Sequence, residues 1–149
     1  MPTVIEITVH PTPTDENHRR YQFTPKHHGA DPGAACWLLE LTFDEEFVVF
    51  NNADRLSVCD DDGNYYGVSR SGEGELRCLG TWNQQLAKFP VARDGENWHG
   101  YPLLPLGEMG PENRRGEKSR PAKVVFERLR QGGLITQRER KRLMRGHEA

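Results

Sequence analysis

A chain of 149 residues with 35% apolar residues, a mean hydropathy of -0.80 and a formal net charge of -2 is one domain's worth, with room for a small appendage. Leu, Ile, Val and Phe supply 31 of the 149 residues, near the ~20% level at which disorder competes with folding, but the net charge is too small to hold the chain open and the apolar residues are clustered. No run approaches the roughly 18 apolar residues that span a bilayer, and MPTVIEITVH lacks the basic-then-apolar order of a signal peptide, so a cytoplasmic protein with no membrane contact is expected.

In chain order, TVIEITVH alternates apolar and polar positions as a strand does. Two prolines and a polar cluster then make a loop, and YQFTPKH gives a short second strand, an edge because of Pro25. CWLLELTF is the strongest candidate for a buried strand, with EEFVVFNN as its hairpin partner or neighbour. RLSVCD and YYGVSR flank DDGN, where Gly63 takes the positive φ of a tight turn. ELRCLG reads as a further strand, and Thr81 as the N-cap of a short helix, WNQQLAKF, closed by Pro90.

WHGYPLLP follows as an apolar strap packed over this body, with Gly100 admitting a close backbone approach. Residues 107–120 hold glycines and prolines and read as a linker. Beyond it the periodicity turns helical. Ala122, Val125, Phe126 and Leu129 fall at i, i+3, i+4 and i+7 after Pro121, which suits a first helical turn. Gly132 and Gly133 end that helix. Thr136 and Glu139 then match a capping box, in which hydroxyl and carboxylate satisfy each other's backbone amides. The expected fold is therefore α+β: an acidic β-rich N-terminal body with one short helix (residues 1–106), a polar linker (107–120) and a basic C-terminal helical hairpin (121–149).

The charge is segregated. Residues 111–149 carry 12 Lys and Arg against 5 Asp and Glu, whereas residues 1–110 carry 8 against 17. On the last helix Arg138, Lys141, Arg142 and Arg145 form one basic stripe at i, i+3, i+4 and i+7, with Leu143 and Met144 on the other side. Such a face can run along phosphates or dock on an acidic protein surface. Cations also stabilise the last turn of a helix, and charge runs are commonly just solvated, but four aligned cations exceed what capping needs. Two short helices joined by a Gly-containing turn are also the minimum of a helix-turn-helix, but a third helix and Asn or Gln at base-contact positions are missing. Phosphate or protein docking is favoured over base reading. The alternative is that the tail is satisfied by the acidic body of its own chain, or by that of a second copy.

Chemical motifs are weaker. His99, in ENWHGYP, has no orienting carboxylate at a recognised spacing, which favours a packing role over proton transfer. His27 and His28 are adjacent and point to opposite faces of an extended segment, so one of them at most joins a given site. His10-Pro11-Thr12 is a single H-x-T where histidine phosphodiesterases need two. The acids of DDDGN are consecutive, unlike the alternate ligands of a calcium loop. The glycines at 72 and 74 lack a phosphate-cradling continuation, and Cys36, Cys59 and Cys78 are too scattered for a disulfide framework or a zinc knuckle. No cofactor or metal is expected.

The order of WHGYP, a Pro-started helix and GLITQRE resembles small bacterial accessory proteins, a likeness limited to about a third of the chain that names no family. The expected function is a non-catalytic interaction module or accessory subunit. Arg138, Lys141, Arg142 and Arg145 carry the contact, aided by Arg114, Arg115, Lys118 and Arg120 from the linker. Its partner is nucleic acid, bound without sequence preference, or an acidic protein, and a homo-oligomer through charge complementarity is also open. The alternative is a small hydrolase of nuclease-toxin or effector type using His99 with His27 or His28.

Overall fold

The computed structural model describes residues 5–11, 20–23, 28, 35–93, 96–105 and 120–146. The first two strands, β1 (Ile5–Pro11) and β2 (Arg20–Phe23), form an antiparallel ribbon with a register shift between Ile5 and His10. The chain then reaches helix α1 (Phe43–Arg55). A three-stranded antiparallel sheet follows, in the order β3 (Tyr65–Gly67), β4 (Leu86–Phe89), β5 (Tyr101–Leu103), with β4 central. Helices α2 (Lys123–Gln131) and α3 (Gln137–Met144) close the fold as a packed pair joined by a short turn. The class is α+β, with the helical pair at the C-terminal end.

Two expected strands give way to a helix. Trp37 makes a single bridge to Gly80, the chain turns at Leu39 and Glu40, and EEFVVF is helical. The cause is a capping box at Thr42: its hydroxyl accepts from the Glu45 amide at 3.1 Å while the Glu45 carboxylate accepts from the Thr42 amide at 2.8 Å. Asp44, Glu45 and Glu46 crowd the first turn, where the macrodipole favours anions. The buried face is Glu46, Val49, Phe50 and Ala53, a helical i, i+3, i+4, i+7 set that opens on a carboxylate.

The helix expected after Thr81 is instead a turn leading into β4. Asn83 takes φ +63, outside helical space. Gln84 Oε1 accepts from the Trp82 amide at 2.8 Å, and the Gln84 carbonyl from the Leu79 amide at 2.6 Å. ELRCLG contributes isolated bridges through Leu76 and Gly80 rather than a strand. The DDGN hairpin shrinks to one bridge, Cys59 to Tyr65, but its turn is as expected: Gly63 has φ +88, and Asp60 Oδ1 accepts from the Asp62 and Asn64 amides.

Two apolar clusters share α1 and β4. One gathers Tyr21, Phe23, Trp37, Phe50, Phe89 and Trp98. The other joins Ala53, Tyr66, Leu86 and Leu103 to Val125, Phe126, Leu129, Ile135 and Leu143 of the hairpin. The helical pair thus shares a core with the body. Gly67 sets how closely α1 lies on β3, since a Cβ there would meet Val49 Cγ1 at 2.7 Å and the Val49 carbonyl at 2.8 Å. Gly67→Ala is expected to cost about 1–3 kcal/mol through forced overpacking, read as a lower urea midpoint.

Candidate functional site: a basic helical face

α3 starts at the expected capping box. Thr136 Oγ1 accepts from the Glu139 amide at 3.1 Å, and Glu139 Oε1 accepts from the Thr136 amide at 2.8 Å. The same carboxylate takes a forked pair from Arg70 of the body. Arg70, and then the Thr136 amide, hold Glu139 below the usual carboxylate range. The one acid of α3 is therefore spent on its own cap and on the body.

Orientation follows from Leu143, which is fully buried. With that position inward, Arg138, Lys141, Arg142 and Arg145 all emerge exposed. Arg140, on the flank, is held by its own chain: Nε donates to Gln137 Oε1 at 2.9 Å, and Nη1 lies 3.7 Å from Glu127 Oε2. Arg128 of α2 donates to the Cys59 carbonyl. Among the described residues, no ion pair joins Arg138, Lys141, Arg145 or Arg120 to a carboxylate. Arg120 is exposed just before α2. Arg114, Arg115 and Lys118 lie outside the described residues, as does His27.

His99 sits at the surface between buried Trp98 and buried Gly100. The packing expected of it falls to its neighbours, with Trp37 Nε1 donating to the Gly100 carbonyl at 3.1 Å. The crowded strap strips hydration from the charged ring, which lowers its pKa below the usual imidazole value, while Glu96 pulls the other way.

His28 belongs to a cluster that sequence reasoning missed. Its Nε2 lies 2.6 Å from Glu46 Oε1, and the buried Tyr21 hydroxyl donates to Glu46 Oε2. Glu46 is 1% exposed. Burial raises its pKa, and the hydrogen bonds from His28 and Tyr21 only partly oppose that shift. Burial likewise pushes the Tyr21 phenol well above its usual value. The signal for Glu46 was its phase in the buried stripe of α1, which is visible only once the segment is known to be helical. The strap carrying His99 runs beside β2, with the Gln22 amide donating to the Trp98 carbonyl at 2.7 Å.

Among the described residues no group of three or more His, Cys, Asp or Glu is placed to hold a metal ion, and no helix is long and apolar enough to cross a membrane. No family model, curated protein or solved structure matches this chain.

Proposed function

We propose that the chain is a non-catalytic interaction module of the cytoplasm, an accessory subunit that binds a polyanionic surface through the outer face of α3. The observation that carries this is the exposure of Arg138, Lys141, Arg142 and Arg145 on one side of a helix whose single acid is committed elsewhere. Cations held on a helix that is itself pinned to a core by Leu143 lose less freedom on binding than cations on a loose tail. The ligand is nucleic-acid phosphate or an acidic protein face. Both are recognised by the same charge, and three free cysteines fit a reducing compartment.

Replacing Arg138, Lys141, Arg142 and Arg145 together by glutamate tests this, with fluorescence anisotropy on a single-stranded RNA, a duplex DNA and poly-glutamate. Each phosphate neutralised contributes a log–log salt slope of roughly -0.7 on single strands and -0.9 on duplex. The natural chain is expected to show a slope near -3 on its preferred probe, and the reversed variant to bind at least tenfold more weakly with a flattened slope (about 1.4 kcal/mol per decade). Unchanged affinity and slope on all three probes would show that the face is merely solvated.

A second reading, the small hydrolase using His99 with His27 or His28, draws on one observation. A buried carboxylate pairs with His28, and the strand beside the His99 strap reaches that carboxylate through Tyr21. A carboxylate that orients an imidazole is how a general base is held. If His99 is catalytic, His99→Gln abolishes hydrolysis of a nucleic-acid substrate without moving the melting temperature. No turnover by the natural chain ends this reading.

A further inference from the structure

Between the start of α2 and the end of α3 lies a cavity of about 180 Å³ lined by Pro105, Arg120, Pro121, Lys123, Phe126 and Met144. Its walls are two prolines, a buried phenylalanine and a half-buried methionine, and its two cations are exposed. Lys141 stands three residues before Met144, about one turn back along α3 and exposed. The hole has room for on the order of six waters at ~30 Å³ each, or one aliphatic side chain. It is an apolar socket with a positive rim.

The same chain carries a matching plug. Leu39 is 90% exposed, at the tip of the turn before α1. Exposed Glu40 follows it, and exposed Asp44 lies in the acidic first turn of the helix. An aliphatic side chain held out in water and flanked by carboxylates is the complement of the socket in both shape and sign.

We infer that a second copy of this chain occupies the cavity, with Leu39 of one copy seated among Pro105, Pro121, Phe126 and Met144 of the next and Glu40 and Asp44 facing Arg120, Lys123 and Lys141. The inference rests on the hairpin being a docking surface and names the partner. Phosphates alone need the cations but not the hole. A nucleobase would find no open aromatic face to stack on, because Phe126 is only 3% exposed. Plug and socket are different surfaces, so the contact is heterologous, and copies add head to tail into rings or open chains.

Light-scattering mass of the full chain, from about 10 µM to about 500 µM protein at low and at high salt, reads the association. The expected result is a mass that rises with concentration at low salt and less steeply at high salt. Leu39→Ser changes a side chain almost wholly in water, so folding is unaffected, and it weakens association at least about tenfold. Met144→Lys plugs the socket to the same effect. Lys123→Glu is the control if that variant misfolds, since an acid at the start of α2 favours the helix dipole. The decisive sample mixes Leu39→Ser with Met144→Lys: each alone associates at least about tenfold more weakly than the natural chain, and together they share one intact plug and socket and give a dimer. A natural chain that stays monomeric throughout, or associates equally well in both variants, overturns the inference. Poly-glutamate and RNA binding by the natural chain is read in parallel. If polyanion binding survives where self-association is missing, the docking face stands and only the second copy falls. If both are missing, the reading of the hairpin falls with it.

Discussion

Leu143→Ala is expected to lower the stability of the entire chain by about 2–5 kcal/mol, a large part of the 5–15 kcal/mol typical of a domain. Leu143 sits on the last helix, yet it is fully buried in a cluster that includes Ala53 of α1, Tyr66 of β3, Leu86 of β4 and Leu103 of β5. Truncating it opens a void in a cluster whose members lie on both sides of residues 106–119. A close-packed cluster relaxes over such a void only in part. Two polar ties run the same way: Arg70 to Glu139, and Arg128 to the Cys59 carbonyl.

The measurement is urea unfolding followed by two probes. Trp37, Trp82 and Trp98 all lie outside the hairpin, so tryptophan fluorescence reports the body, while far-ultraviolet circular dichroism weights the helices. Coincident transitions that shift together in the variant are the expected outcome. A fluorescence transition left in place while the dichroism transition moves would mean that the hairpin folds as a separate unit. The result also bears on binding. A basic face rooted in the common core stays in place when it docks, whereas a loosely attached one would pay ordering entropy at each encounter.

What the sequence made legible was local chemistry read in the right period. Thr136 and Glu139 announced α3, Gly63 its turn, and the spacing of Ala122, Val125, Phe126 and Leu129 the inward face of α2, although Ala122 itself became an exposed N-cap. The identical capping signature at Thr42 and Glu45 was overshadowed by Phe47, Val48, Val49 and Phe50, a β-branched and aromatic run that favours strands. The tie breaks on Glu46. A buried carboxylate inside the helical stripe makes the apolar pattern look like a short continuous run rather than one face of a helix. Its partners, Tyr21 and His28, are 25 and 18 residues away in sequence, so no spacing could reveal them.

Thr81 failed for the opposite reason. A sound N-cap residue was followed by Asn83, which tolerates positive φ, and by Gln84, whose side chain satisfies the Trp82 amide and so removes the demand for a helical turn. The basic stripe was legible because it needs only helix phase and the inward position of Leu143. The socket beside it was not, since Pro105 and Met144 meet only in the folded chain.

Glu46→Gln is expected to change how stability depends on pH, in a direction opposite to that of an ordinary carboxylate. Burial raises the folded-state pKa of Glu46, so the folded chain holds this proton more tightly than the unfolded chain does. The group's contribution is thus fully present below the unfolded carboxylate value, about 4.3, and is lost as pH rises through the raised folded value. Glutamine cannot ionise, and it keeps one acceptor for the Tyr21 hydroxyl or for His28. Relative to the natural chain, Glu46→Gln should therefore gain stability as pH goes from about 4 to about 8. Asp60 and Glu139, whose pKa values are lowered, lose their contributions on acidification in both proteins, so they cancel in the difference. Glu46→Ala is the harsher change. It opens a cavity in α1 and strands the buried Tyr21 phenol, together costing about 3–5 kcal/mol at any pH in that range. Urea midpoints at four or five pH values for the three proteins decide the matter. A Gln-minus-Glu difference that is flat, or that falls as pH rises, would mean that the carboxylate is no costlier to ionise in the folded chain than in water. In that case its burial against Tyr21 and His28 does not control its charge.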